Sequence, residues 1–333
     1  MSGKGSKQSG EDRLIDFFRA IAKHPSALGL ADDAALLAPP AGSEIVATTD
    51  AIVAGVHFFA DDPPDSVARK ALRVNLSDLA AKGAVPLGAL LTLALPEGTS
   101  DDWLTEFARG LGDDCLHYRC PLVGGDTVKT PGPLTISIAA LGHLPAGTIV
   151  KRSGAKPGEV IVVTGTIGDA ALGLPMRREP KRPCFAELDP KARAHLTKRY
   201  QLPEPRSSFA SALRTHASAA IDISDGLAGD LAKLAAASGV SARIETKDVP
   251  LSAAARQVLD ADPSVIKTIL AGGDDYEILA TVSDLRLDGL LKAAAALGIE
   301  LSVIGRTGKG EGVEIIGPDS APLALDTLSF SHF

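Results

Sequence analysis

Strand-like and helix-like apolar segments alternate along the chain, and several of these segments end at an aspartate. Residues 44–49 have the composition of a strand and lead directly to Asp50. Residues 66–82 place apolar side chains at helical spacing. The alternation continues in the second half, from the β-rich residues 159–163 to a predicted helix at residues 226–238. Because both halves mix the two kinds of element, we expect an α/β or α+β fold.

The length of 333 residues predicts two domains, at roughly 150 residues per domain. Residues 143–158 contain several Pro and Gly residues, as a linker does. We therefore predict an N-terminal domain over residues 11–147 and a C-terminal domain over residues 148–333. Residues 1–10 are rich in Gly, Ser and Lys without an apolar stretch, which predicts a flexible tail rather than a signal peptide.

Composition excludes several classes of function. The net charge is −7 and aromatic residues make up 4% of the chain, which argues against binding to nucleic acids or to anionic membranes. No run approaches the roughly 18 apolar residues of a membrane span. Three cysteines are too few for a disulfide framework, so we expect buried or partly buried thiols and a cytoplasmic protein.

The aspartates that end the apolar segments have Gly, Ser or Thr as neighbours. The clearest examples are Thr48-Thr49-Asp50, Gly124-Gly125-Asp126 and Asp222-Ile223-Ser224-Asp225-Gly226. The two glycines before Asp126 would let a ligand approach the backbone closely. Asp222 and Ser224 share one face of a strand end, and Asn75 and Asp78 share one face of a predicted helix.

Three interpretations of these carboxylates are open. Aspartate is common at helix caps and tight turns for purely local reasons. Calcium binding is a second interpretation, but no twelve-residue loop with alternating ligands is present. The third is magnesium held by carboxylates from several loops together with substrate phosphates. The hydroxyl and glycine neighbours favour the third interpretation.

Bound phosphates would also need donors. The candidates are Lys70, Arg73, Lys151, Arg152 and the turn at residues 164–169. Neither a P-loop nor the catalytic loop of protein kinases is present, so nucleotide chemistry would need a different fold. His57 lies beside two phenylalanines, a setting more typical of a packed or surface histidine than of a catalyst.

Together these motifs resemble those of the thiamine-monophosphate kinase family, which belongs to the superfamily of aminoimidazole ribonucleotide synthetase. The matching stretches are Gly10-Glu11 to Ile15, Gly29 to Ala34, Thr48-Thr49-Asp50, Ala54 to Phe58, Lys70-Ala71-Leu72, Val74 to Ala81, Gly124 to Thr127, Arg152 to Gly158, Thr164 to Asp169, Asp222 to Leu227, Gly272 to Glu277 and His332-Phe333. They occur in order along nearly the whole chain.

The resemblance implies a two-domain aminoimidazole ribonucleotide synthetase-like fold, with N-terminal sheets that pair across a homodimer and a C-terminal α/β domain. It implies transfer of the γ-phosphoryl group of ATP to thiamine monophosphate with several Mg²⁺ ions. The implied metal ligands are Asp33, Thr48, Thr49, Asp50, Asp78, Asp126, Asp222 and Asp225. The implied nucleotide contacts are Gly125, Asp126, Arg152, Ser224 and Tyr118, and the implied substrate contacts are His57, Asp274 and Thr327.

Three residues depart from the family pattern. Ala31 and Asp274 stand where the family usually has Gly and Glu, and Thr327 stands where it often has an aromatic residue, a role that Phe330 could take. Two alternatives remain open: another ATP-using member of the same superfamily, and a non-catalytic protein that binds a nucleotide or a thiamine phosphate. The relatives that use a cysteine near the N-terminus differ from this chain, whose first cysteine is Cys115.

Overall fold

The computed structural model describes residues 10–329, with side chains from residue 13 onward. The predicted tail, apart from the backbone of Gly10, lies outside the described residues, and so do Phe330 and the His332-Phe333 motif. The described chain divides into two compact units. Unit 1 comprises residues 10–75 and 86–143, and unit 2 comprises residues 76–85 and 144–329. Each helix of the described chain is too short or too polar to span a bilayer.

Unit 1 is built on a four-stranded sheet. Its elements are α1 (Gly10–Arg19), β1 (Ser43–Val53), the first part of α2 (Pro64–Ala81), β2 (Val85–Pro96), α3 (Asp101–His117), β3 (Leu122–Thr130) and β4 (Thr135–Pro145). The strand order is β1-β4-β2-β3, and β2 and β3 run parallel. Along β2 the side chains of Leu91, Leu93 and Leu95 are buried and alternate with more exposed residues, which is the period of a sheet with one face in the core.

Unit 2 is built on a larger mixed sheet. Its elements are β5 (Val160–Thr164), α4 (Asp169–Arg178), α5 (Pro183–Ala186), α6 (Pro190–Gln201), α7 (Ala210–His216), β6 (Ala219–Asp222), α8 (Leu227–Ser238), β7 (Ser241–Glu245), α9 (Ala253–Ala261), α10 (Ile266–Ala271), β8 (Ile278–Val282), α11 (Asp284–Ala296), β9 (Leu301–Gly308) and β10 (Val313–Ile316). The strand order is β10-β7-β9-β5-β8-β6. Strand β8 is antiparallel to both β5 and β6.

Both faces of the unit 2 sheet are covered, because the side chains of β5 alternate between two apolar clusters. Ile161 and Val163 pack with residues of α4, α8 and α9, whereas Val160 and Val162 pack with residues of α7 and α11. A strand buried on both faces needs a continuous run of apolar β-branched residues, which is what β5 has. The sequence pattern predicted β5, β6 and α8, but it left α6, α9, β7, β9 and β10 without a prediction.

The three cysteines are unpaired and buried, as predicted. Burial raises the pKa of the Cys115 thiol to about 12 and raises that of Cys120 as well. Thiols of this kind are inert and act as small apolar side chains in the core.

One buried ionic cluster in unit 2 ties distant elements together. The Glu277 carboxylate is fully buried and accepts hydrogen bonds from Arg199 (3.0 Å), from Arg206 Nε (2.7 Å) and from Thr164 Oγ1 (2.7 Å). These partners are 71–113 residues away in sequence. The cluster therefore joins α6, the end of β5 and the residue before β8.

Replacing Glu277 with Ala leaves the guanidinium groups of Arg199 and Arg206 without their shared carboxylate. We expect the free energy of unfolding of unit 2 to fall by about 3–5 kcal/mol, as measured by urea unfolding. The control is Asp288→Asn, which removes an exposed partner of Lys292 and should cost about 0.5 kcal/mol or less. Equal, small losses for the two variants would contradict the importance of the buried cluster.

Candidate active site

Two loops that carry predicted site residues meet at one edge of the unit 2 sheet. Strand β6 ends at Asp222 and is followed by residues 223–226, and β8 is preceded by residues 272–277. Because β6 and β8 are antiparallel, with Asp222 opposite Ile278, the end of one strand lies beside the start of the other. The two loops are therefore neighbours although they are about fifty residues apart in sequence.

Backbone hydrogen bonds extend this pairing beyond the strands. The N–H of Ile223 donates to the carbonyl of Glu277 (2.8 Å), and the N–H of Tyr276 donates to the carbonyl of Ile223 (2.8 Å). The N–H of Asp274 then donates to the carbonyl of Ser224 (2.9 Å). At Gly273 a Cβ atom would lie 2.1 Å from the Ser224 carbonyl oxygen, so this position admits only glycine. Asp274 itself has a φ of 71°.

The buried carboxylate of Asp222 faces a second carboxylate. Ser77 donates to Asp222 Oδ2 (2.9 Å), and Asp78, on the same helix as Ser77, is half-buried nearby. Burial and then the negative charge of Asp78 raise the pKa of Asp222. Burial lowers the pKa of the Lys82 ammonium to about 8, although Asp222 and Asp78 act to raise it. The structure thus brings the predicted metal ligands Asp78 and Asp222 together.

Asp225 is held by a lysine and by the start of α8. Lys233 Nζ bonds to Asp225 Oδ2 and also to Asp230 Oδ1, the latter at 2.9 Å. Asp230 Oδ2 accepts the N–H groups of Ser224 (3.0 Å) and Asp225 (2.9 Å). Neither Asp230 nor Lys233 was found by the sequence analysis. Their i, i+3 spacing on a predicted helix directly after the motif was the signal that could have found them.

The turn at residues 164–169 is organised by the protein's own carboxylates. The N–H of Gly168 donates to both oxygens of Asp275 (2.9 Å each), and burial raises the pKa of Asp275 well above its usual range. Asp169 accepts from Thr166 Oγ1 (2.6 Å) and contacts His195 Nε2 at 3.0 Å. The sequence suggested that this turn binds a phosphate, but its Gly168 amide is already committed to Asp275.

Two other predicted residues of unit 2 lie on the surface. Arg152 is exposed, its carbonyl accepts a hydrogen bond from Ser238 (3.0 Å), and its charge contributes to lowering the pKa of Lys82. Thr327 is also exposed, in a segment that passes over Gly229 of α8, where an added Cβ would lie 3.0 Å from the carbonyl oxygen of Leu328. Within residues 10–329, no hydrogen bond that the structure shows joins the side chain of Arg152 or of Thr327 to the two loops.

In unit 1, three predicted residues line one cavity of about 640 Å³. These are Asp33, Gly125 and Asp126, and the polar side chains of the wall also include Asp32, Thr92 and Thr127. Most of the remaining wall is apolar, including Ile15, Phe18, Leu30, Leu37, Leu90, Leu91, Leu122, Val123 and Leu141. Ala31, just before Asp33, has a φ of −116°, which any residue adopts. The departure from the family's glycine at this position therefore causes no backbone strain.

Gly125 is required by the sheet itself. It lies opposite Leu91 on β2, and a Cβ atom at Gly125 would lie 2.0 Å from the Leu91 carbonyl oxygen. At Gly124 the nearest atom to an added Cβ would be a methyl carbon of Leu90, at 3.1 Å. Gly125 is therefore needed for the approach of β2 to β3, which is a separate requirement from the ligand approach that the sequence predicts.

The motif at Asp50 lies apart from this cavity, and the prediction that a strand ends at Asp50 is wrong, because β1 continues to Val53. Thr48, Thr49 and Asp50 are on β1, whereas Asp126 is on β3, and these strands form opposite edges of the unit 1 sheet. Three strand spacings separate them, about 14 Å. The N–H of Asp50 donates to Asn75 Oδ1 (3.0 Å), which ties the strand to α2. The predicted metal ligands of unit 1 therefore form two groups within one chain. Asp33 and Asp126 line the cavity, and Thr48, Thr49 and Asp50 lie on β1.

His57 and Tyr118 are held by neighbours that the sequence had assigned to phosphate binding. His57 Nδ1 accepts the N–H of Val53 (3.0 Å), and buried Lys70 donates to the carbonyl of His57 (2.9 Å). The guanidinium of Arg73 lies 5.5 Å from the centre of the Tyr118 ring. Lys70 and Arg73 thus make contacts within unit 1 that stabilise the positions of His57 and Tyr118.

Gly125→Ala should disrupt the β2–β3 pairing, because the backbone oxygen of Leu91 cannot move away as a side chain can. We expect a loss of about 3 kcal/mol or more in the free energy of unfolding, measured by urea or thermal unfolding. Gly124→Ala is the matched control and should cost clearly less, since a leucine methyl can shift. Equal costs for the two variants would show that the close contact is absent.

The raised pKa of Asp222 predicts a dependence of stability on pH in the presence of EDTA. A carboxyl whose pKa is higher in the folded than in the unfolded state destabilises the fold as the pH rises from about 4 through the folded pKa. Asp222→Asn removes this destabilisation. The Tm of the variant minus that of the wild type should therefore be more positive at pH 8 than at pH 5. A Tm difference that is independent of pH would contradict the raised pKa.

Comparisons with known proteins agree with this architecture. Residues 31–144 match the model for the N-terminal domain of AIR synthase related proteins, and residues 156–317 match the model for the C-terminal domain. The chain is 44% identical to a thiamine-monophosphate kinase of Caulobacter vibrioides, over 95% of this chain and 90% of that protein.

Two solved structures are similar over nearly their whole length. The thiamine-monophosphate kinase of Stenotrophomonas maltophilia is 37% identical with a TM-score of 0.82, over 93% of this chain and 96% of that one. AaThiL complexed with AMPPCP and TMP is 30% identical with a TM-score of 0.77, over the full length of both chains. The predicted two-domain α/β (α+β) fold of the aminoimidazole ribonucleotide synthetase type is confirmed. The chain therefore belongs to the thiamine-monophosphate kinases of the AIR synthase related family.

Proposed function

We propose that this chain phosphorylates thiamine monophosphate with ATP to give thiamine diphosphate and ADP, without a covalent intermediate. The observation that carries the proposal is the hydrogen-bonded pair of loops in unit 2, in which the backbone of Ser224, between Asp222 and Asp225, bonds to that of Asp274. Membership of the thiamine-monophosphate kinases and the similarity to AaThiL complexed with AMPPCP and TMP support it. Thiamine diphosphate biosynthesis is the process that such an enzyme serves.

Mg²⁺ is the cofactor that fits the donor set. The relevant side chains are carboxylates and hydroxyls, which are hard oxygen ligands. Among the described residues no three His, Cys, Asp or Glu side chains form a protein-built metal site. Mg²⁺ typically uses one or two carboxylates together with substrate phosphates and water, and the repelling pair Asp78–Asp222 suits that mode. We propose several ions, held by Asp33, Thr48, Thr49, Asp50, Asp78, Asp126, Asp222 and Asp225.

The chemistry needs no general base from the protein. The acceptor is a phosphate oxygen that is already anionic, so alignment and charge neutralisation are the main tasks. Bound Mg²⁺ supplies the positive charge that two anionic substrates require beside so many carboxylates. The chain's own contribution is to hold Asp222, Asp225 and Asp274 in fixed positions along one sheet edge, so that the two substrates can meet in line.

We assign nucleotide contacts to Gly125, Asp126, Arg152, Ser224 and Tyr118. The apolar cavity beside Gly125 and Asp126 supports the first two, since a purine base needs an apolar wall next to polar groups for the phosphates. We assign substrate contacts to His57, Asp274 and Thr327. The position of Asp274 next to the Asp222–Asp225 loop supports its assignment.

We also propose that the enzyme is a cytoplasmic homodimer in which the unit 1 sheets pair. The strands of this sheet carry exposed apolar side chains, Ile45 (52%), Leu90 (38%) and Val128 (45%), which a second sheet would cover. We further propose that residues 11–147 form the N-terminal domain that pairs in the dimer and that residues 148–333 form the C-terminal domain.

The direct test is an assay of the purified protein with ATP, Mg²⁺ and thiamine monophosphate, in which the product is oxidised to its fluorescent thiochrome form. Thiamine diphosphate should accumulate with Mg²⁺ and not with excess EDTA. AMPPCP in place of ATP should give no product. The absence of product with ATP and Mg²⁺ would reject the proposed function.

Asp126→Asn should abolish measurable turnover, which means a decrease in kcat of at least about 100-fold, while the fold remains intact. The neutral amide keeps the shape of the carboxylate but loses the charge that binds a cation. The control is the surface variant Asp288→Asn, which should retain wild-type activity. Near-normal activity of Asp126→Asn would remove this residue from the metal ligands, and circular dichroism checks that the variant is folded.

A further inference from the structure

We propose that Asp230 is a positioning residue that fixes both the Asp222–Asp225 loop and, through Ser224, the loop that carries Asp274. This inference rests on the proposed function, because it concerns the groups that would hold the metal–phosphate complex and the substrate. Asp230 would touch neither of them. It acts through the backbone of its neighbours.

The geometry of Asp230 is that of an anchor for a turn. One of its oxygens, Oδ2, accepts two consecutive backbone N–H groups, those of Ser224 (3.0 Å) and Asp225 (2.9 Å). Two adjacent amides can point at one oxygen only where the backbone turns sharply, so the bonds select one conformation of the loop. The residue is 1% exposed, so water cannot easily take the place of the carboxylate.

The position of Asp230 in α8 makes this arrangement possible. The helix begins at Leu227. Its N-cap residue is Gly226, which has no side chain that could accept a capping hydrogen bond. Asp230 lies in the first turn and sends its carboxylate back to the residues before the helix. A negative charge at this end of a helix is favourable, because the helix dipole places partial positive charge there.

Ser224 transmits the constraint to the second loop. Its N–H is bound by Asp230, and its carbonyl accepts the N–H of Asp274 at 2.9 Å. A shift of the Ser224 peptide would therefore move Asp225 and Asp274 together. The proposed metal ligand and the proposed substrate contact depend on the same buried carboxylate.

Lys233 completes the arrangement by fixing the side chain of Asp225. Its ammonium bonds to Asp225 Oδ2 and to Asp230 Oδ1, so the anchor and the proposed ligand share one cation. Asn in place of Asp230 could still accept backbone N–H groups, but it would lose the ionic bond to Lys233. Ala would lose both interactions. The two variants therefore form a graded series.

The experiment compares Asp230→Ala and Asp230→Asn with the wild type. The control is Asp189→Ala, which removes an N-cap carboxylate of unit 2 that accepts the N–H of Ala192 (2.8 Å) in α6. Amide exchange at Ser224 and Asp225 is followed by NMR, Mn²⁺ binding by electron paramagnetic resonance, and the KM values for ATP and thiamine monophosphate by the thiochrome assay.

In Asp230→Ala we expect faster exchange of both amides, Mn²⁺ binding weaker by about 10–100-fold, and KM values for both substrates that rise together. Asp230→Asn should fall between Asp230→Ala and the wild type, and it alone carries the test if the Ala variant fails to fold. Asp189→Ala should lower Tm and leave all three readouts unchanged.

A purely structural role would give Asp230 variants that lower Tm as Asp189→Ala does, with unchanged amide exchange, Mn²⁺ affinity and KM. That result would overturn the proposal. If the wild type shows no kinase activity, the proposed function fails, but amide exchange and Mn²⁺ binding still decide the role of Asp230.

Discussion

The antiparallel pairing of β6 with β8 is the interaction on which the candidate site depends. Its hydrogen bonds continue past the strand ends, from Ile223 and Glu277 to Ser224 and Asp274, so two loops become one structure. The flanking apolar clusters cover both faces of the sheet and hold the strands that carry these loops. Side chains on a rigid sheet edge are positioned more accurately than side chains on free loops.

Buried carboxylates surround this edge of the sheet, and they differ in their partners. Some are paired with arginines or amides, whereas one faces a second carboxylate. Glu277 is neutralised by Arg199 and Arg206, and Asp275 accepts the N–H of Gly168. Asp222 instead faces another carboxylate, that of Asp78, and its pKa is raised by burial and then by this repulsion. A divalent cation relieves such repulsion, whereas it would gain little from a carboxylate already paired with arginines.

The sequence alone predicted the strand that leads to Asp222 and the helix that follows it, because a strand end with Asp, Ser and Gly neighbours is visible as a local pattern. It did not predict the pairing of this strand end with residues 272–277, which depends on hydrogen bonds between segments about fifty residues apart in sequence. The residue pattern by itself could not separate Asp274 from its neighbours Asp275 and Glu277, because the partners of Glu277 lie 71–113 residues away. Only the resemblance to the family singled out Asp274. The sequence also could not show that Lys70, a predicted phosphate donor, is buried and bonded to the carbonyl of His57. The sequence could not show that a Cβ atom at Gly125 would meet the carbonyl of Leu91, because Leu91 lies on a different strand.

We propose that the loops at residues 222–226 and 272–277 bind the metal–nucleotide complex as one unit. Paramagnetic broadening of backbone amide signals tests it most directly, with Mn²⁺ and AMPPCP added to the isotopically labelled protein. We expect the amides of both loops to broaden together at the same Mn²⁺ concentration, while those of the distant strand β10 remain sharp. Broadening of one loop without the other, or of neither, would contradict it.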